Sequence, residues 1–157
     1  MPELKELTDK NLDETIEALL ILQSSVHVMC SKVQGYRINI VGGNFYEYHT
    51  FLGLVVEKLE KAFYDIGERV RMLGGLSNYS VKSMLEKSQV EDATKPVVKY
   101  EEMVKEMHSD FIELSDQARA IFAISGPLAD AGTIALVTNF CFTVAEHFAW
   151  ETRVMQL

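Results

Sequence analysis

The chain has 157 residues, the length of one domain, with 48% hydrophobic and 24% charged residues. Three prolines and nine glycines exclude collagen-like, linker-like and low-complexity chains. The net charge of −8, from 15 Lys+Arg against 23 Asp+Glu, argues against generic nucleic-acid binding and is compatible with attracting cations. No unbroken apolar run reaches 18 residues, so no membrane span is expected. MPELKELTDK lacks a basic segment followed by an apolar stretch, so no secretory signal is visible. Cys30 and Cys141 sit inside apolar patterns and read as two reduced core thiols of a cytoplasmic protein.

Helical periodicity dominates the pattern. Asn11 with Glu14 three residues on fits an N-cap. From there Leu12, Ile16, Leu19, Val26, Met29, Val33, Tyr36 and Ile40 recur at steps of three and four, with one doubled step bridged by Leu22 or Gln23. Gly42-Gly43 stops this first helix. Asn44 with Glu47 repeats the capping pattern. Phe45, Tyr48, Leu52, Val55, Leu59, Ala62, Ile66, Val70 and Leu73 then mark a second helix, ended by Gly74-Gly75. Each helix spans about 45 Å at 1.5 Å per residue, enough to run the height of a bundle.

Between Gly75 and Pro96 only SVKSMLEKSQVE reads as helical, with Ser80 as its cap. A third long helix follows Pro96, with Tyr100, Met103, Met107, Phe111, Leu114, Ala118 and Ile121 inward, and Ser125-Gly126-Pro127 breaks it. A fourth carries Ile134, Val137, Cys141, Val144 and Phe148 to the C-terminus. The expected fold is therefore all-α. Short loops make two antiparallel hairpins, and the long connection between the second and third long helices crosses the bundle and contains the short helix. One long crossover is the ferritin-like variant of the four-helix bundle, here as a single domain over residues 1–157.

Motifs that would fix a chemistry are few. Glu-x-x-His, the pair that holds metals inside a di-iron bundle, is absent: Ser24, Tyr46, Lys105 and Val144 stand three residues before His27, His49, His108 and His147. HExxH, P-loop, GxGxxG, CxxC and GxSxG patterns are absent as well. One stretch is distinctive: Gly35-Tyr-Arg-Ile-Asn-Ile-Val-Gly-Gly-Asn-Phe-Tyr-Glu-Tyr-His49, followed by Gly67-Glu68-Arg69-Val-Arg-Met-Leu-Gly-Gly75. It resembles the Dps family of small ferritins. That family carries His-Trp-Asn-Val-x-Gly-x-Asn-Phe, a Leu-His shortly after, and Asp-x-x-x-Glu-Arg before Leu-Gly-Gly. Asn39, Gly42, Asn44, Phe45, His49, Glu68, Arg69, Leu73, Gly74 and Gly75 fall in register without gaps. The short crossover helix and Trp150 in His-Phe-Ala-Trp-Glu also resemble that family, and the likeness covers nearly the whole chain.

The resemblance implies a stress-response shell of twelve identical subunits that oxidises Fe(II), usually with hydrogen peroxide, and stores the ferric mineral. It implies an iron site shared across a two-fold axis, with two histidines from one subunit and an Asp and a Glu from the other. Carried over by position, His49 matches the second histidine and Glu68 the glutamate, while Arg37 stands at the first histidine and Tyr64 at the aspartate. Arg37 has no lone pair to offer a metal. Neutral Tyr64 binds Fe(II) poorly, although a phenolate holds Fe(III). Asp65, an i,i+3 neighbour of Glu68, is a substitute ligand given some rotation, and Glu60, Tyr64 and Glu68 stack at i,i+4 spacing. Two functions follow. One is an iron-oxidising and iron-storing mini-ferritin built around His49 and Glu68. The other is a structural or interaction shell that lost ferroxidase activity, with Arg37 pairing with Glu68 across the two-fold in place of a metal.

Other residues carry plainer expectations. His27 reads as a partly buried helix histidine and His108 as exposed. His147 with Glu151 reads as a helix-face hydrogen bond and Trp150 as packing. Met29, Met72, Met84, Met103, Met107 and Met155 read as core or interface filling. Glu101, Glu102, Glu106, Asp110 and Glu113 read as a solvated face or shell lining. Asp130 lies near a helix junction where shells of the resembled family often place acidic pore residues, and its register assigns it no role. Residues 1–16 hold Lys5 and Lys10 against Glu3, Glu6, Asp9, Asp13 and Glu14. They lack the lysine-rich tail that carries DNA binding in Dps proteins, so no strong DNA binding is expected.

Overall fold

A computed structural model describes residues 9–157, with side chains from Leu12 onward. The helices are α1 (Asp9–Asn39), α2 (Phe45–Met72), α3 (Val81–Lys87), α4 (Tyr100–Ser125), α5 (Ala131–Phe140) and α6 (Glu146–Met155). A π-helical turn, Cys141–Ala145, joins the last two. No strand occurs among the described residues.

Cross-helix contacts fix the directions. Gln34 meets Glu60 while His27 meets Phe63, so rising numbers on α2 match falling numbers on α1: the two are antiparallel. Tyr36 bonds Glu106 while Lys32 bonds Asp110, so α4 is also antiparallel to α1. Hence α2 and α4 are parallel, and only a connection that crosses the bundle can join them. Residues 73–99 make that crossing, with α3 inside it. Ser80 caps α3 by accepting from Ser83 N.

The predicted stripes form the core. Leu19, Val26, Met29 and Val33 of α1, Leu52, Val55, Leu59 and Val70 of α2, and Met103, Met107, Phe111 and Leu114 of α4 are fully buried. Truncating one of these leucines to alanine costs about 2–5 kcal/mol. By length and composition, Leu12–Asn39 is apolar enough to cross a membrane, but most of its apolar window is buried inside the bundle.

Polar groups inside α1 fasten the crossover. Gln23 is buried; its Nε2 donates to Phe63 O at 3.1 Å and Ser77 Oγ at 2.9 Å, and its Oε1 accepts from Asn78 N and Nδ2. Ser25 Oγ accepts from Gln89 N at 3.0 Å. Gly67 is required here, since a Cβ would lie 2.7 Å from both Gln23 Nε2 and Ser77 Oγ.

Several expectations are corrected. Asn11 lies inside α1, which already includes Asp9, so it is not the cap. Asn44 precedes α2 but makes no side-chain capping bond. The fourth helix is interrupted: the π turn shifts the helical phase, so Phe140 takes a buried place and Cys141 is only half-buried. Trp150 is exposed, its ring edge-on to His147. His108 is half-buried, with Nδ1 3.0 Å from Ala149 O, because α6 packs over that face of α4. The acidic face of α4 is partly consumed in packing. Asp110 pairs with Lys32 at 2.7 Å, and Glu106 accepts from the Tyr36 hydroxyl. Asp130 is buried as the N-cap of α5, accepting from Thr133 N and paired with Arg69 at 2.5 Å. Gly132 leaves space for that arginine, since a Cβ there would meet Nη1 at 2.4 Å.

Candidate metal centre

Both halves of the candidate site lie on or beside α2, at opposite ends. His49 is in the second turn. Its Nδ1 lies 2.9 Å from Arg37 O, and Phe45 stacks on its ring at 5.1 Å. A carbonyl only accepts, so Nδ1 carries a proton, and in the neutral ring Nε2 is the nitrogen with the lone pair. Metal-binding histidines are commonly oriented in this way, with the second nitrogen donating to a carbonyl.

Arg37 stands beside His49. Its guanidinium lies over Gly53, where a Cβ would come within 2.9 Å of Nη2 and 3.0 Å of Cζ. Gly53 is four residues after His49, on the same face of α2. Arg37 Nε is buried and has no hydrogen-bond partner. The arginine therefore stands next to the imidazole, at the position where the sequence register leads one to expect a second histidine.

The other end carries Tyr64 and Glu68, both exposed. Tyr64 lines a cavity of about 400 Å³ together with His27, Cys30, Gln34 and Glu60. Burial, then the Glu60 charge, push the Cys30 thiol up to about 11, so it is a protonated thiol at neutral pH. Asp65 faces elsewhere. It pairs with Lys61 at 2.5 Å and borders a groove lined by Leu136 and Phe140 of α5. At 100° per residue, a shift of one position along a helix is enough to turn a side chain away from its neighbours. His147 makes its contact within α6, 3.2 Å from Glu151.

His49 and Glu68 are 19 residues apart on one helix, hence about 28 Å along its axis at 1.5 Å per residue. They cannot share an ion within one chain. Among the described residues no three His, Cys, Asp or Glu side chains are grouped to hold a metal. A centre using both residues needs a second copy of the chain.

Sequence reasoning missed the Arg69–Asp130–Thr133 cluster and the polar role of Gln23. For Gln23 the available signal is a polar residue standing at a step of the apolar stripe.

The comparisons agree with this architecture. The ferritin-like domain family matches residues 9–156. A DNA protection during starvation protein of Helicobacter pylori is 24% identical over 69% of this chain and 75% of its own length. One of Halobacterium salinarum is 27% identical over 50% of this chain, and the match spans 43% of that relative's length. The crystal structure of a DPS protein from Vibrio cholerae O1, described as a member of the ferritin-like diiron-carboxylate superfamily, superposes with a TM-score of 0.93 at 23% identity. That superposition covers 100% of this chain and 98% of that one. An uninterrupted ferritin-like match, an antiparallel hairpin pair joined by a crossing connection, and the Asn-Phe and Glu-Arg segments at their register positions place this chain in the ferritin-like family, as a Dps-type member.

Proposed function

We propose that the protein is an iron-handling mini-ferritin. Copies of the chain assemble into a shell, with twelve subunits as the expected number, and a modified site between two copies oxidises Fe(II) for storage. The observation that carries this reading is His49: its proton is held on Nδ1 by the Arg37 carbonyl, leaving Nε2 as a donor. Glu68, exposed about 28 Å away on the same helix, supplies the carboxylate from a second copy. Imidazole nitrogen and carboxylate oxygen together suit Fe(II). With hydrogen peroxide as oxidant, two Fe(II) each give one electron, and the peroxide takes two protons to become two waters. Tyr64, as phenolate, adds a ligand that favours the ferric product. Asp65 contributes only if the Lys61 pair opens.

A second reading rests on Arg37. A guanidinium beside His49 repels Fe(II) and attracts carboxylate, so an Arg37–Glu68 ion pair between copies would give a shell without ferroxidase chemistry. One assay separates the two. Peroxide-dependent Fe(II) oxidation by the assembled protein is measured for the native chain, His49→Ala, Glu68→Gln and the double variant Arg37→His/Tyr64→Asp. The iron reading expects native activity that falls at least tenfold in either single variant. The second reading expects no native activity and a sharp rise in the double variant. No activity in any variant refutes both.

A further inference from the structure

We infer that the outer groove between α1 and α4 is a binding site for a linear aliphatic polyamine, an extended cation with ammonium groups separated by methylenes. The groove has two parts that share Gln89 and Glu113 in their walls. The larger, about 530 Å³, lies under the Gln89–Lys95 segment, with Glu91, Asp92, Glu106, Asp110 and Glu113 around it. The smaller, about 190 Å³, runs on between Ala18 and Ile21 of α1 and Asp116, Gln117 and Ile121 of α4.

Charge selects a cation. Both lysines of the larger part are already paired, Lys32 with Asp110 at 2.7 Å and Lys95 with Glu102 at 2.5 Å. Among the described residues Glu91, Asp92 and Glu113 form no ion pair, and Asp116 forms none, although the Arg119 charge lies near it. A second observation is independent of that acidity. Gln117, 7% exposed, donates through Nε2 to Glu113 at 3.3 Å, while its Oε1 is buried in the wall of the smaller part with no hydrogen-bond donor. A buried acceptor left without a donor is costly, and an N–H of a ligand would satisfy it.

Shape selects an organic cation over a metal. No three carboxylates converge as a metal cage would require, among the described residues. The two volumes together far exceed the space one ion needs. The walls are mixed: the larger part sets the carboxylates of Glu91, Asp92 and Glu113 beside apolar Ile112, and the smaller sets Glu113 and Asp116 beside Ala18 and half-buried Ile21. Ammonium groups match the carboxylates and methylenes the apolar surface.

Calorimetry on the assembled native protein at low salt, with spermidine, 1,5-diaminopentane and Mg²⁺ as probes, tests this. Spermidine is expected to bind more tightly than Mg²⁺ at equal ionic strength. Gln117→Met, which removes an unsatisfied buried oxygen and so keeps the fold, should weaken spermidine at least fivefold and leave Mg²⁺ unchanged. Glu91→Gln/Asp92→Asn, on the surface segment, should weaken spermidine about tenfold. Equal affinity for spermidine and Mg²⁺, or spermidine binding indifferent to Gln117→Met, would overturn the proposal and leave a diffuse counterion effect.

Discussion

Gln23→Leu is the sharpest test of how the crossover is held. Leucine keeps the volume but removes every polar contact of a side chain that is 1% exposed. The Phe63 carbonyl keeps its helical surroundings, and Ser77, half-buried, reaches water. Asn78 Nδ2 retains Leu20 O at 2.9 Å. The Asn78 backbone N–H, now 3.2 Å from Gln23 Oε1, is left without its acceptor. One orphaned donor costs about 1–3 kcal/mol and the lost bonds to Ser77 and Phe63 add about 1 kcal/mol, a sum on the order of 3 kcal/mol. For a chain of this size 1 kcal/mol moves the melting temperature by about 2–4 °C, so a fall of about 6–12 °C is expected. The assay is thermal melting by circular dichroism at fixed protein concentration, since assembly shifts the midpoint. The variant should also expose the 76–79 backbone to hydrogen exchange. A midpoint within 2 °C of the native protein, with unchanged exchange there, refutes the claim that Gln23 anchors the crossover.

The Lys32–Asp110 pair is nearly buried, with side chains 7% and 14% exposed. Asp110→Asn should cost about 3 kcal/mol by stranding the lysine, while Lys32→Met/Asp110→Leu should cost less than the single change; denaturant unfolding at pH 7 measures both. Burial raises the Cys30 thiol to about 11, above its ordinary 9.0. Its contribution to stability is therefore complete below pH 9 and lost as pH rises toward 11. Alkylation of Cys30 by iodoacetamide, followed by mass spectrometry, should stay slow at pH 8 and be fast only after denaturation. Net charge −8 predicts no tight, salt-sensitive DNA band shift even at low salt, and such a shift would refute that expectation.

Much of the fold was legible because burial writes a period of 3.6 into the chain. Leu52, Val55, Leu59, Ile66 and Val70 are buried where the stripe placed them. The crossing connection was legible from the length between Gly75 and Pro96. The π turn was not: Cys141 and Val144 satisfy an uninterrupted stripe, and nothing in their identity signals an extra residue in the turn. Buried polar residues were read by their usual preference for solvent. Asp130 is buried and Asp110 nearly so because Arg69 and Lys32, more than 60 positions away, neutralise them. The candidate site was half legible. His49 and Glu68 came from register with a known family, whereas the Arg37 carbonyl that sets the His49 tautomer is a backbone group that no motif encodes. Asp65 adjoins the family register position in sequence, but helical phase turns it to pair with Lys61.

The central claim is that His49 of one copy and Glu68 of another meet around iron. Crystals of the assembled protein soaked in Fe(II) and measured at the iron absorption edge test it directly. An anomalous peak is predicted at a two-fold contact, within about 2.0–2.3 Å of His49 Nε2 and of a Glu68 carboxylate oxygen from the neighbouring copy. A contact that keeps those two groups apart, or one in which Arg37 and Glu68 pair with no anomalous peak between the copies, would contradict it.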